Sequence, residues 1–211
     1  MKTEFINYDE KNSGLIIFFN SWGFDSEVVR HLSCGGYNVC AVSDYRNLDW
    51  DFEEINIEKY EKKYLVCWSM GVYVSSVFKR IFDKFDKKIA VNGTPKMIDD
   101  EFGIPKRVYS LTLKRFNDES CKKFAQNMFN SFEIPFQPKR SCDELREELQ
   151  NLNDINVNLE ELKFDKAYIS TEDKIVPAKN QLNYWLSRTS TELLNTPHYP
   201  FSLFNSWSEL L

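Results

Sequence analysis

Three short apolar blocks constrain this chain more than any other feature: Leu15-Ile16-Ile17-Phe18-Phe19, Tyr64-Leu65-Val66-Cys67 and, behind Lys88, Ile89-Ala90-Val91. Strands that show no polar alternation are buried on both faces, as in a parallel sheet covered by helices. Further strand-like runs occupy residues 4–8, 39–42, 166–169 and 191–194. Between them lie helical stripes at 25–32, 71–85 and 177–187, the last with Pro177 in its first turn. Strands alternating with helices predict an α/β fold: a mostly parallel central sheet with helices on both faces. The alternation stops between about 92 and 165, where only helices are read, at 105–115, 118–132 and 141–153. The last opens with a Ser141-x-x-Glu144 capping box. The expected organisation is a core of residues 1–97 and 160–211 with a helical cap inserted at 98–159, and 211 residues leave room only for a small cap.

Composition narrows the chemistry. With two histidines in the chain, a multi-histidine metal site is excluded, and a histidine acid or base must be His31 or His198. A net charge of −5 offers no general footprint for nucleic acid. No apolar run approaches the roughly 20 residues of a membrane span. Lys2 is followed by Glu4, Asn7, Asp9 and Glu10 rather than by an apolar leader. The five cysteines, Cys34, Cys40, Cys67, Cys121 and Cys142, include no C-x-x-C and read as reduced, mostly buried thiols. A cytoplasmic monomer without metal or other cofactor is therefore expected. The charge is uneven. Residues 104–123 carry Lys106, Arg107, Lys114, Arg115, Lys122 and Lys123 against Asp118 and Glu119, a net of +4 that leaves −9 for the rest. That segment reads either as a solvated helix face or as a docking patch for an acidic partner.

The richest stretch is Tyr64-Leu65-Val66-Cys67-Trp68-Ser69-Met70-Gly71, an apolar strand running through x-Ser-x-Gly into a helix. This is the context of a nucleophile elbow, in which a strained turn lifts a serine hydroxyl over the strand ends. Small residues are needed two before and two after the serine, where they would pack against each other under the turn; Gly71 and Cys67 fill those places. A serine that merely caps the following helix is the competing reading. Cys67 precedes the turn and should point beneath it, so it is not the nucleophile. Two N–H donors for an oxyanion would come from Met70 and from Trp22, in the loop Asn20-Ser21-Trp22-Gly23 after the first apolar strand; Trp22 also suits a core aromatic. Beyond the strand at 166–169 stand Glu172 and Asp173, and Asp173 is preferred because it adjoins the Ile175-Val176-Pro177 turn. His198 follows the last strand in Thr196-Pro197-His198-Tyr199-Pro200. The order serine, acid, histidine then assigns Ser69 as nucleophile, His198 as base and Asp173 as the group that fixes its tautomer. His31, on the 25–32 helix, is a spectator.

Several segments together resemble the pimeloyl-[acyl-carrier protein] methyl ester esterases of the BioG type. They are Phe18-Phe19-Asn20-Ser21-Trp22-Gly23-Phe24-Asp25, Asp44-Tyr45-Arg46, Cys67-Trp68-Ser69-Met70-Gly71-Val72, Asn92-Gly93-Thr94-Pro95, Gly103-Ile104-Pro105 and Asp173-Lys174-Ile175-Val176-Pro177. The resemblance implies an α/β-hydrolase fold with a helical cap, cleavage of the methyl ester of pimeloyl-acyl carrier protein in biotin synthesis, and acyl carrier protein as partner. By position the family's nucleophile falls on Ser69, its acid on Asp173, its base on His198 and its oxyanion donors on Trp22 and Met70. The family usually has glycine where Ser21 stands, while Asn20 in place of a histidine suits the BioG type. An acidic carrier gives the basic segment a purpose as its docking surface. The bond that is cleaved is not written in a triad, so a general carboxylesterase, a thioesterase and a non-catalytic binding protein of the same fold stay as alternatives.

Overall fold

The computed structural model describes residues 1–131, 135–155 and 162–211. Among these residues seven strands form one sheet: β1 Lys2–Asn7, β2 Gly14–Phe19, β3 Tyr37–Ser43, β4 Lys62–Trp68, β5 Lys87–Val91, β6 Lys166–Ser170 and β7 Ser190–Leu194. Their spatial order is β1-β3-β2-β4-β5-β6-β7. β1 runs antiparallel to β3 and every other pair is parallel. All seven coincide with the apolar runs of the sequence. β2 lies near the centre and is buried along its whole length, as its lack of alternation requires.

Alternate residues feed two cores. Leu15, Ile17, Phe19, Leu65 and Cys67 enter the first, closed by α1 Met70–Ser75, α2 Lys79–Phe82 and α6 Ala178–Trp185. Ile16, Phe18, Val66 and Trp68 enter the second, beneath Val28 and Val29 and the terminal α7 Trp207–Leu210. Helical elements thus cover both faces.

Two helices are shorter than the apolar stripes suggest. The 71–85 stripe is broken into α1, a 3-10 turn Ser76–Phe78 and α2. The hydroxyls of Ser75 and Ser76 both donate back to the Val72 carbonyl, at 3.0 and 3.4 Å, and such bonds compete with regular helix in a segment already rich in β-branched residues. The 25–32 stripe is a 3-10 turn Ser26–Val29, capped by the Asp25 side chain on the Glu27 N–H.

Among the described residues between β5 and β6 the regular elements are helices: α3 Lys106–Lys114, α4 Asp118–Phe129 and α5 Cys142–Asp154. α4 and α5 both open on reciprocal capping boxes, Asn117 with Ser120 and Ser141 with Glu144. The expected end of the 118–132 helix at Phe132, and the expected cap boundary at 159/160, lie outside the described residues. Leu145, Leu149 and Leu152 of α5 and Tyr109 of α3 turn into the first core, so these helices pack onto the sheet's C-terminal edge. The five cysteines are free, Cys40 and Cys67 being buried and the others partly so. Among the described residues no helix is long and apolar enough to cross a membrane.

Candidate active site

The carboxyl ends of parallel strands point the same way, so the loops after β2, β4, β6 and β7 converge at one edge of the sheet. β4 delivers Ser69 with φ 56° and ψ −122°, a conformation that costs a non-glycine residue roughly 1–3 kcal/mol and persists only when its surroundings impose it. The Ser69 N–H is held by the Val91 carbonyl at 2.8 Å. Its side chain caps nothing in α1, which removes the helix-capping explanation for this serine. Gly71 is small because of the neighbouring strand rather than Cys67: a Cβ there would stand 2.3 Å from the Phe19 carbonyl oxygen and 2.6 Å from that of Asn20. Cys67 lies fully buried, and burial pushes its thiol well above the ordinary range, so it is no nucleophile.

β6 and β7 bring the acid and the histidine together. His198 Nδ1 lies 2.7 Å from Asp173 Oδ2, and both side chains are fully shielded from solvent. Asp173 Oδ1 accepts from the N–H groups of Ile175 and Val176 at 2.8 and 2.9 Å, and Oδ2 also accepts from Gln181 Nε2 at 2.9 Å. Four bonds thus fix the carboxylate plane. Because Nδ1 faces an acceptor it carries the proton, which leaves Nε2 as the lone-pair nitrogen of the neutral ring. Nε2 is buried and has no hydrogen-bond partner among the described residues. The backbone of His198 is pinned to the elbow: its carbonyl accepts from Trp68 Nε1 at 3.0 Å and from Asn92 Nδ2 at 2.9 Å. Asn92, at φ 48°, also ties β5 to β6 through Ser170, donating to its hydroxyl and accepting from its N–H, each at 2.7 Å.

The loop after β2 can be read by elimination. The N–H of Asn20 goes to the Val42 carbonyl at 2.9 Å, that of Ser21 to Asn20 Oδ1 at 2.8 Å, and that of Gly23 to Glu148 Oε2 at 3.2 Å. The N–H of Trp22 has no acceptor among the described residues. Its indole is fixed, with Nε1 donating to the Leu145 carbonyl at 3.0 Å and the ring packed edge-on against Phe116 and Phe124. Ser21, where the resemblance implies glycine, is not among the residues of positive φ, so the loop accommodates its side chain without left-handed backbone.

Ser21, Trp22, Ser69 and Met70 line one cavity of about 410 Å³, roofed by α3 and α4. Its walls are largely apolar, from Ile104, Val108, Leu111, Phe124, Leu149 and Ile175, with Arg115, Lys123 and Lys174 among the polar lining. All six basic residues of the 104–123 segment are exposed, and none pairs with a carboxylate among the described residues. Only Arg115 and Lys123 of the six reach this cavity, while Lys106, Arg107, Lys114 and Lys122 lie away from it. His31 is exposed, with Nε2 3.0 Å from the Phe201 carbonyl and no place in the cavity. Glu172 is exposed and turned toward Asn130.

Sequence reasoning missed the supporting residues Gln181, Asn92, Trp68 and Glu148. Glu148 had a signal, an acid lying inside the apolar stripe Leu145-Leu149-Leu152 of α5.

The family model described as "Pimeloyl-ACP methyl esterase BioG" matches residues 1–210. The crystal structure of BioG from Haemophilus influenzae superposes with a TM-score of 0.87 at 33% identity, over 100% of this chain and 99% of that one. A malonyl-[acyl-carrier protein] O-methyltransferase of Bacteroides fragilis is 35% identical over 179 residues; the match takes in 81% of this chain but about a third, 36%, of that protein. Naproxen esterase from Bacillus subtilis shares the fold, with a TM-score of 0.61 at 13% identity over 94% of this chain and 85% of its own.

Proposed function

The chain belongs to the pimeloyl-ACP methyl esterase BioG family and is a carboxylic ester hydrolase of the α/β-hydrolase fold, and on that premise we propose that it hydrolyses the methyl ester of pimeloyl-acyl carrier protein in biotin biosynthesis, with Ser69, His198 and Asp173 as its triad. The observation that supports the triad is the buried Asp173–His198 bond of 2.7 Å, together with a His198 Nε2 that is buried and has no hydrogen-bond partner among the described residues. Ser69 Oγ attacks the ester carbonyl as His198 Nε2 takes its proton. The tetrahedral oxyanion lies against the N–H groups of Trp22 and Met70. Collapse expels methanol, protonated by His198, and leaves an acyl-enzyme. Water, deprotonated by the same nitrogen, then releases the pimeloyl carboxylate and restores Ser69.

The apolar cavity suits a methylene chain, and its outer part suits a carrier. Val108 and Leu111 of α3 are 51% and 42% exposed at the cavity, beside Arg115 and Lys123. An acyl carrier protein is acidic and offers its acyl group on an extended arm, so exposed apolar side chains among exposed cations form a complementary landing surface. The partial match to a protein named as an acyl-carrier O-methyltransferase supports a carrier-linked methyl ester as the substrate class.

The test is incubation with pimeloyl-acyl carrier protein methyl ester followed by intact-mass measurement. Methyl ester hydrolysis keeps the acyl group on the carrier and lightens it by one methylene, whereas thioester cleavage frees the carrier. Ser69→Ala should lower kcat by about 10⁴–10⁶. Product as free carrier, or near-full activity in Ser69→Ala, would reject the reading.

A further inference from the structure

Glu148 lies on α5, away from the triad, yet is fully buried and spends both oxygens on the loops that build the site. Oε1 accepts from the Tyr45 N–H at 2.7 Å. Oε2 accepts from the Gly23 N–H at 3.2 Å and from Arg140 Nη2 at 2.6 Å. Tyr45 in turn donates its phenol hydroxyl to the Asn20 carbonyl at 2.7 Å. Glu148 thus grips the Asn20-to-Gly23 loop at both ends, directly at Gly23 and through Tyr45 at Asn20. One turn earlier on α5, the Leu145 carbonyl holds the Trp22 indole at 3.0 Å. Gly23 stands at φ 85°, and because glycine has no Cβ to restrict it, the loop can take more than one course there unless its amide is anchored.

We propose that Glu148 is a positioning residue for the oxyanion hole: from α5 it anchors the loop so that the Trp22 N–H, which has no acceptor among the described residues, faces the developing oxyanion. The inference rests on the reading of Trp22 and Ser69 given above. Its physical basis is that an oxyanion donor acts by being fixed before charge develops, so that no reorganisation is needed in the transition state. A carboxylate accepting charge-assisted bonds from three separate segments supplies that fixation. Arg140 completes the arrangement as counter-ion and is itself bound to Asp44 Oδ1 at 3.0 Å, which links the loops after β2 and β3 to the start of α5.

The deciding experiment compares wild type with Glu148→Gln and the milder Tyr45→Phe, at mildly alkaline pH and well below each protein's melting temperature. Three readouts are taken: stoichiometry of fluorophosphonate labelling at Ser69, kcat and KM on a p-nitrophenyl acyl ester, and Ki for an alkyl trifluoromethyl ketone, which mimics the tetrahedral oxyanion once Ser69 adds to it. Glu148→Gln keeps the side chain's shape but sets an amide N–H₂ against donors on one side or the other. The expected result is kcat about 10–100-fold lower with KM within about twofold, and ketone Ki raised by the same factor as kcat/KM falls. Tyr45→Phe should show the same correlated pattern at about 3–10-fold. A structural role alone would lower the labelled fraction and leave ketone Ki unchanged; that result, or kcat at the wild-type level in folded Glu148→Gln, would overturn the inference while the esterase reading stands. Absence of labelling at Ser69 in the wild type would overturn both.

Discussion

At Ser69 and at Glu148 the chain holds groups where their intrinsic preferences oppose them: one has a left-handed φ on a non-glycine residue, the other a carboxylate shut away from water. Ser69 is held by its own N–H on Val91 and by the close approach of Gly93 to its carbonyl. Glu148 depends on what surrounds it, and this gives a pH prediction. Burial raises its carboxyl above the ordinary 4.5, Arg140 and the Tyr45 N–H oppose that rise, and the charge of Asp44 adds to it. The native protein then keeps a proton that the unfolded chain has released. Glu148's contribution to stability is therefore fully present below 4.5 and is lost as pH rises through its raised native value. Asp44 acts oppositely and in a lower window. Held down chiefly by the Arg46 hydrogen bond, it contributes stability that is present above 3.8 and lost as pH falls. Urea denaturation of wild type and Glu148→Gln across this range should show wild-type stability declining relative to the variant as pH rises above 4.5. Parallel curves would count against an ionising Glu148.

Elements act here through their ends. β2, β4, β6 and β7 each release a loop of the candidate site at the same edge, and small residues set how closely those loops approach. Gly71 brings α1 against the ends of β2, and Gly93 brings the loop after β5 against the elbow, where a Cβ would stand 2.4 Å from the Ser69 carbonyl oxygen. In both places the obstacle is backbone, which cannot rotate aside. Gly71→Ala should therefore cost about 1–3 kcal/mol of stability and displace the oxyanion loop with it. Thermal melts and active-site titration check this: a lower Tm together with a drop in kcat per titrated site is expected, and an unchanged Tm would show that the elbow can shift freely. Among the helices, α5 turns Leu145, Glu148, Leu149 and Leu152 inward, so the element that covers the sheet edge also bonds to the loop after β2, Glu148 accepting from the Gly23 N–H.

The whole molecule is acidic, with one basic segment from which Arg115 and Lys123 reach the cavity. The total of −5 conceals +4 between residues 104 and 123. Long-range charge chiefly affects encounter with a partner, and salt screens it over about 8–10 Å at physiological strength. Replacing Arg115 and Lys123 by glutamate, alone and with Lys106, Arg107, Lys114 and Lys122, should raise KM for the carrier-linked ester and flatten its salt dependence. Turnover of a small free ester should be unaffected by the four replacements that lie away from the cavity. Equal losses on both substrates would show that these residues act on the fold or the cavity rather than on the carrier.

Much of this was legible in the chain itself. The three unbroken apolar blocks became the buried parallel strands β2, β4 and β5, because hydrophobic stretches of that length have few other stable burials, and the four shorter strand-like runs became β1, β3, β6 and β7. The strand–Ser–x–Gly–helix pattern marked the elbow, and the scarcity of histidine left His198 to face an acid after β6. Local pattern did not determine how long the helices would run: the 71–85 stripe has helical spacing throughout, yet Ser75 and Ser76 bond back to Val72 and interrupt it. Nor did it reveal Glu148, Gln181 or Asn92, which act across 125, 8 and 106 residues on Gly23, Asp173 and His198. Sequence alone records what a residue would prefer in isolation, and on that basis an acid on a helix belongs in solvent. Only the tertiary structure brings Gly23, Tyr45 and Arg140 around Glu148, and it is their donors, gathered from distant parts of the chain, that make its burial stable and give it something to hold.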